Sequence, residues 1–559
     1  MARDPDQGGA YVFDLVDDDT ADLEVPPALS GAAAGDDPDG AGPDGADPAA
    51  GGPTPSGELG ARARAFAPVA ALLAVVLGTG FAVDGLRDDL RMQRMRDVPG
   101  GVVDVSSPLE ERWSWDGAVG TPSATAQGRE NDVALLGGLL AFQSDRELVA
   151  LDPATGDEAW TVPLGADPDC GPMGTAGWTE VITPTLVCLA GPAEDREAMV
   201  IGPDGVVASA RPLGAADERR YGPARPGPGG MVLRAKRVGP EPAEGRGDAE
   251  CTDTWECTGT VESGRDLEVR AEDAATGTER WTVTVPFRPT PADQCNNWSG
   301  SSWDRAGRMT GPDEMIDAEA FGAQLTGGLV HLDGCGVVAG LTLEGEALGL
   351  EIESGTGGVM SLRSGGYVEY VYVDDEVRTT LYRADGEMIA EVDGYVGEPS
   401  AADSPEPATL LAPGGGEQRM RAYEADGTPL WDVPSPTDAQ LFIAQVAGSA
   451  IVGSWSGAVY GMDLATGEER WTWNVSDSDD EGAGDLYATR GFTDGQSVLL
   501  VTQSGAGGFG LVALDVLSGD VLWERRAPTD PDEGAFSSGF VAVDGNLLVV
   551  TPAGVKGLG

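Results

Sequence analysis

Six cysteines offer the most definite chemistry in this chain: Cys170, Cys188, Cys251, Cys257, Cys295 and Cys335. None forms the Cys-x-x-Cys pair of a structural zinc site, and they fall mostly in loops or near strand ends. An even set of this kind predicts three disulfides and an oxidising compartment. Many pairings are possible. Proximity favours Cys251–Cys257 and, next, Cys170–Cys188, which leaves Cys295–Cys335. His331 is the only histidine, so neither a multi-histidine metal site nor a His–His acid–base pair can be built. It sits in the alternation Leu329-Val330-His331-Leu332-Asp333, which reads as a strand position rather than a catalytic one.

Other reactive patterns are missing. There is no Gly-rich phosphate loop, no nucleophile elbow and no HExxH. Asp477–Glu481 is acidic but lacks the ordered spacing of a calcium loop, so it reads as a solvated turn. With 93 acidic against 35 basic residues, the net charge is −58. Such a surface repels nucleic acid and anionic lipid, and neither is expected as a partner. Only Lys236 and Lys556 are lysines, a bias toward Arg that fits GC-rich coding better than function.

The elements that must position these residues come from a recurring stretch. Ala150-Leu151-Asp152-Pro153-Ala154-Thr155-Gly156-Asp157-Glu158-Ala159-Trp160 returns with Asp273, Gly277 and Trp281. It returns again with Asp463, Gly467 and Trp471, and with Asp515, Gly519 and Trp523. Shorter versions run from Tyr423 to Trp431 and from Leu381 to Gly386. Each has an apolar alternation, an Asp…Gly turn and a second alternation that usually opens on Trp. Asp bonds its own backbone, Gly supplies positive φ, and the result is a β-hairpin. Repetition at roughly 40 to 70 residues predicts one sheet per repeat.

This pattern, small-x-Asp-x-x-Thr-Gly-x-x-x-Trp, resembles the quinoprotein-like (PQQ-like) β-propeller family over about 111–559. The resemblance implies that the hairpin joins the two outer strands of a four-stranded blade and that the Trp docks on the neighbouring blade. The Asp, Gly and Trp residues are then structural. Candidate blades lie near 130–163, 173–213, 228–286, 321–352, 357–394, 397–434, 441–475 and 484–526, plus a closing one. The block at 321–352 is the weakest, and the expectation is all-β, an eight-bladed propeller, within a range of seven to nine. Strand 111–116 has no preceding hairpin partner, while 540–543, 547–551 and 555–558 lack a fourth strand. Pairing 111–116 beside 555–558 would close the ring and leave no open sheet edge.

Quinoprotein dehydrogenases of this fold resemble one another in an adjacent Cys–Cys pair above the quinone, and in acidic and Asn ligands to Ca²⁺. No adjacent cysteines occur here, and Asn296-Asn297 lies outside the repeats. No cofactor, metal site or enzymatic activity is therefore expected. The chain also resembles the propeller lipoproteins that help assemble outer-membrane proteins, although no lipobox Cys is visible. Two inserts, about 239–266 and 287–320, interrupt the repeat and carry Trp255, Trp298 and Trp303 together with Cys251, Cys257 and Cys295. Exposed aromatics on cystine-pinned loops suit a protein or saccharide partner. The alternative is that they cap a sheet edge.

Ahead of the repeats, residues 1–62 form an acidic tail. Its first 60 residues hold fourteen acidic side chains against Arg3 alone, too polar to offset chain entropy, so disorder is expected. Tyr11–Val16 is an apolar island within it, a candidate linear motif. From Ala65 to Val83 run 19 uncharged residues, long enough as a helix, roughly 28 Å, to cross a bilayer. Residues 63–85 are read as a single transmembrane helix, and 86–110 as a helical stalk and linker. Arg87, Arg91, Arg94 and Arg96 argue for a cytoplasmic C-terminal side. The cysteines argue the reverse, and large domains translocate largely regardless of flanking charge. The expectation is a single-pass protein of the cell membrane with its propeller extracytoplasmic and its tail cytoplasmic. Its role would be that of a binding or scaffold protein of the cell envelope. An envelope sensor coupled to the tail is the alternative, and a quinoprotein dehydrogenase a distant third.

Overall fold

The computed structural model describes residues 90–559 apart from several interruptions, the longest at 296–315, 475–485 and 527–538. The chain divides after Leu90 into two units, and the second, Arg91–Gly559, holds all the described sheets. Residues 1–62 and 63–85 lie outside the described residues. Among the described residues no helix is long and apolar enough to cross a membrane.

Within each blade, alternating sequence becomes antiparallel sheet. The first blade pairs Asp132–Leu136, Leu139–Ser144, Glu147–Leu151 and Glu158–Pro163 in order. Eight further sheets follow in sequence, beginning at Asp169, Ala224, Phe321, Gly357, Thr409, Ala439, Leu486 and Gly539. Nine blades replace the expected eight. The additional one is the weak block at 321–352. Its three strands Phe321–Leu325, Val330–Gly334 and Val337–Leu341 pair fully, and among the described residues its outer strand amounts to one bridge, Leu341 with Ala347. It lacks the Asp and Trp signature, yet its face still buries Val330, Leu332 and Val337 against the blade before it. Burial of a face is what makes a blade, and the turn signature is dispensable.

The ninth blade is built from both ends of the described chain. Glu111–Asp116 pairs antiparallel with Gly554–Leu558, setting Trp113 opposite Gly557 and Trp115 opposite Val555, as the count of strands requires. Glu110 and Gly559 exchange backbone hydrogen bonds of 3.3 and 2.9 Å, so the last residue is tied into the seam. Between neighbouring sheets the core is a series of apolar layers: Val119, Phe142 and Val541 join blades nine and one, and Ile443, Trp471 and Leu500 join seven and eight.

Residues 91–110 do not stand away from the sheets. A helical turn through Arg96 buries Met95. The chain then pairs Gly101 with Thr493 and Val102 with Gly545 in parallel bridges. Val102, Val105 and Leu109 enter the apolar layer between the eighth and ninth blades with Leu499 and Trp523. β-Branched and leucine side chains in a segment read as linker make this docking favourable.

Candidate functional site

Three sets of residues are candidates for function, and the repeat motif is the first to be decided. Asp152 Oδ1 accepts the backbone N–H of Ala154 at 2.8 Å and of Thr155 at 3.2 Å, and Gly156 takes φ 75°. Asp463 and Asp515 do the same in their own turns. Asp273 accepts from Thr276 and from Arg280, which pull its pKa down to about 2; the Arg280 bond contributes most. Each Trp leaves its own blade. Trp113 donates its indole N–H to Pro153 O (3.2 Å), Trp160 to Pro203 O (2.9 Å), and Trp281 to Leu343 O (2.8 Å). Trp431 donates to Leu464 O (2.8 Å) and Trp471 to Val516 O (2.9 Å). In every case the acceptor is the outer turn of the next blade, whose Gly lies under the ring. A Cβ on Gly519 would sit 2.5 Å from Trp471 Cδ2.

Three blades make the same contact with other side chains. In the second, Ser209 stands opposite Val200 where Trp160 stands opposite Ala150. Arg211, two residues further along, donates instead to Ala274 O at 3.2 Å. In the fourth, Leu348 lies against Gly386, and in the fifth, Ala390 lies against Gly427. These motif residues hold blade to blade.

The second candidate is the pair of inserts. Glu250–Cys251 and Cys257–Thr258 form a small hairpin closed by the Cys251–Cys257 disulfide. Thr260–Val261 pairs with Thr290–Pro291, joining one insert to the other. Cys295–Cys335 then ties the second insert to the turn between the second and third strands of the fourth blade. Val261, Ala292, Cys295, Ile316 and Cys335 form its core. Beneath it, Arg237 donates to four carbonyls, those of Arg265 (2.8 Å), Ala320 (3.0 Å), Cys335 (2.8 Å) and Glu319 (3.4 Å). Burial lowers its pKa to about 10, still high enough to keep it charged at neutral pH. The inserts are thus one module mounted on the third and fourth blades. Trp255, Trp298 and Trp303 lie outside the described residues.

The third candidate has no sequence signal. In the second blade the connection from Asp169–Gly171 to Leu186–Ala190 is long, and Cys170–Cys188 pins its base. Gly174–Thr175 pairs with the innermost strand of the first blade, and Leu135 exchanges hydrogen bonds with Val181 O (2.8 Å) and Thr183 N (3.0 Å). Glu180 on this connection pairs with Arg490 of the eighth blade's innermost strand and with Arg363 of the fifth blade, the latter at 3.5 Å. One carboxylate therefore joins three blades spread around the ring. Arg363 also donates to Pro399 O at 2.6 Å. Ion pairs between residues hundreds of positions apart leave no spacing pattern to read.

The expected disulfide pairing is the observed one, Cys170–Cys188, Cys251–Cys257 and Cys295–Cys335, and no cysteine is free. His331 lies in a strand between Gln324 and Gly340, where burial lowers its pKa and Asp333 partly opposes the shift. Among the described residues no group of His, Cys, Asp and Glu is arranged to hold a metal ion.

Residues 416–558 match the family model described as "Outer membrane protein assembly factor BamB". The chain is an all-β propeller, and this part of it is similar to that family. That match covers blades seven to nine and the last part of the sixth, the portion where the Asp…Gly…Trp signature is most regular. No curated protein matches the sequence. Two solved structures resemble the ring. BamB from Moraxella catarrhalis is 11% identical, with 81% of this chain and 99% of that chain covered at a TM-score of 0.32. The computationally designed Ika8 protein is 12% identical, with 79% and 99% covered at a TM-score of 0.33. At such scores neither superposition adds to what the strand pairing already establishes.

Proposed function

We propose that this PQQ-like propeller is a non-catalytic binding or scaffold protein of the cell envelope, held at the membrane by residues 63–85. The ring is extracytoplasmic and the acidic tail cytoplasmic. The observation that carries the placement is the closure of all six cysteines into three disulfides, which persist in oxidising compartments. The match of 416–558 to an assembly-factor family supports a binding role, and the disulfide-built insert module supplies the surface. Its partner is an envelope protein or saccharide, met through the insert residues Trp255, Trp298 and Trp303.

Two experiments test this on the full chain. Protease added to intact spheroplasts should cut the propeller while the tail stays protected; protection of the propeller instead would overturn the placement. Photo-crosslinking from position 255 should capture an envelope component, and deleting 297–314 should abolish the adduct without lowering the melting temperature of the ring. Adducts that survive the deletion would remove the insert module from the site. A sensor role has one observation in its favour: the segment following the expected span is the one that completes the ring's seam. Loss of a downstream response on deleting residues 1–60, with the propeller intact, would support it.

A further inference from the structure

We propose that Arg363 and Arg490 form a carboxylate-binding site, occupied in this structure by the chain's own Glu180, that accepts the carboxylate of a partner peptide in its place. Three features carry this, and none depends on where the protein sits in the cell.

First, the recognition is incomplete. Arg490 is 7% exposed, and its Nε, shielded from water, has no acceptor among the described residues, because Glu180 meets a terminal nitrogen. A buried guanidinium nitrogen without a partner is costly. A carboxylate approaching side-on engages Nε and a terminal nitrogen together, the two-point geometry that makes Arg the usual carboxylate reader. Glu180, tethered to a strand on the opposite side, makes only the one-point contact.

Second, exchange needs no unfolding. The backbone around Glu180 is held through Val181 and Thr183 by their bonds to Leu135. Only the Glu180 side chain must turn away for the two arginines to be offered. Arg363 keeps one guanidinium nitrogen on Pro399 O, so its position does not depend on Glu180.

Third, the site opens to solvent. The Arg363 side chain is 27% exposed, and Ile182, two residues from Glu180, is 69% exposed. A cationic pair with an exposed apolar side chain two residues along the chain from its carboxylate suits a peptide that brings one carboxylate with an apolar neighbour. A polyacidic partner does not fit, because the net charge of −58 repels it. The carboxylate can be a peptide's C-terminus or a single acidic side chain.

Isothermal titration of the full chain in detergent tests the proposal, at about 0.15 M salt, where the screening length is about 8 Å. Three apolar pentapeptides serve as probes: one with a free C-terminus, one amidated with a single internal glutamate, and one amidated without acid. Glu180→Ala should bind at least one of the first two about tenfold more tightly than the wild type does, and the third not at all. Which of the two binds identifies the source of the carboxylate. Adding Arg490→Met should abolish the gain. If Glu180→Ala lowers the melting temperature, Glu180→Gln, which keeps the volume and removes the charge, is read the same way. No gain in either variant, or a gain that survives Arg490→Met, would overturn the proposal.

Discussion

The Trp523 indole N–H donates to the Val105 carbonyl oxygen at 2.8 Å, across 418 positions of sequence. Elsewhere this bond lands on the hairpin turn of the next blade. The ninth blade has no such turn, because its two outer strands come from opposite ends of the described chain. Residues 102–109 stand in for it, and Arg525 adds a second bond of 2.7 Å to Leu109 O. The ring is therefore closed twice, by the strand 111–116 and by the segment before it.

Replacing Trp523 by Phe keeps most of the apolar contact and removes the donor, leaving Val105 O buried and unpaired. A loss of about 1–3 kcal/mol is expected. Trp523→Ala should cost about 3–5 kcal/mol by opening a cavity. Urea titration followed by tryptophan fluorescence reads both. Equal midpoints for the Phe variant and the wild type would mean that the bond contributes nothing.

Deleting residues 540–559 removes three strands of the ninth blade and leaves Glu111–Asp116 without a partner. The expected outcome is loss of cooperative unfolding and exposure of the eighth blade's apolar face, because an open sheet face is a template for aggregation. Size-exclusion chromatography and far-ultraviolet circular dichroism report it. A monomer with an unchanged melt would contradict the seam.

Glu272 is 3% exposed and is shared by Arg234 (3.2 Å), Arg211 (3.1 Å) and Arg270 (3.2 Å). Glu272→Gln leaves three guanidinium groups around a neutral amide. Breaking a buried ion pair from one side costs about 3–5 kcal/mol. Glu279, which also pairs with Arg270, is exposed, so Glu279→Gln should fall within about 1 kcal/mol of wild type. Thermal melts of the two variants should separate clearly.

His331 offers a pH test without overlap, being the only histidine. Burial holds its pKa below the ordinary value of 6.5. As pH falls below 6.5 the unfolded chain takes up the proton before the folded one does. This contribution to stability is complete above that ordinary value and is lost as pH drops toward the folded one. The imidazole resonance in a proton NMR titration should have its midpoint below 6.5 in the folded protein and at it in urea. A folded midpoint no lower than the one in urea would contradict the burial of this strand.

Local chemistry explains which features are legible in the sequence. An Asp that bonds its own turn, a Gly at positive φ and an alternating flank act over a dozen residues, so the hairpins and the missing fourth strand of the last sheet can be counted directly. The fourth blade gives a weak signal because Leu348 occupies the place of a Trp, and a packed face tolerates that exchange. The disulfide at Cys251–Cys257 follows from closeness, its partners being 6 positions apart; Cys295–Cys335, 40 apart, follows only once the others are assigned.

What the amino-acid order determined by itself is a set of repeating antiparallel hairpins, the need for the two ends of the repeat region to share a sheet, and an oxidised cysteine set. Those depend on contacts between near neighbours or on simple inventory. The number of blades, the docking of residues 91–110 into the seam, the use of Arg211 where other blades use a Trp and the meeting of Glu180 with Arg363 and Arg490 were decided only when the ring closed. Closure brings together side chains from separate blades, and the energy of such a contact depends on burial and distance in space, which sequence separation does not encode.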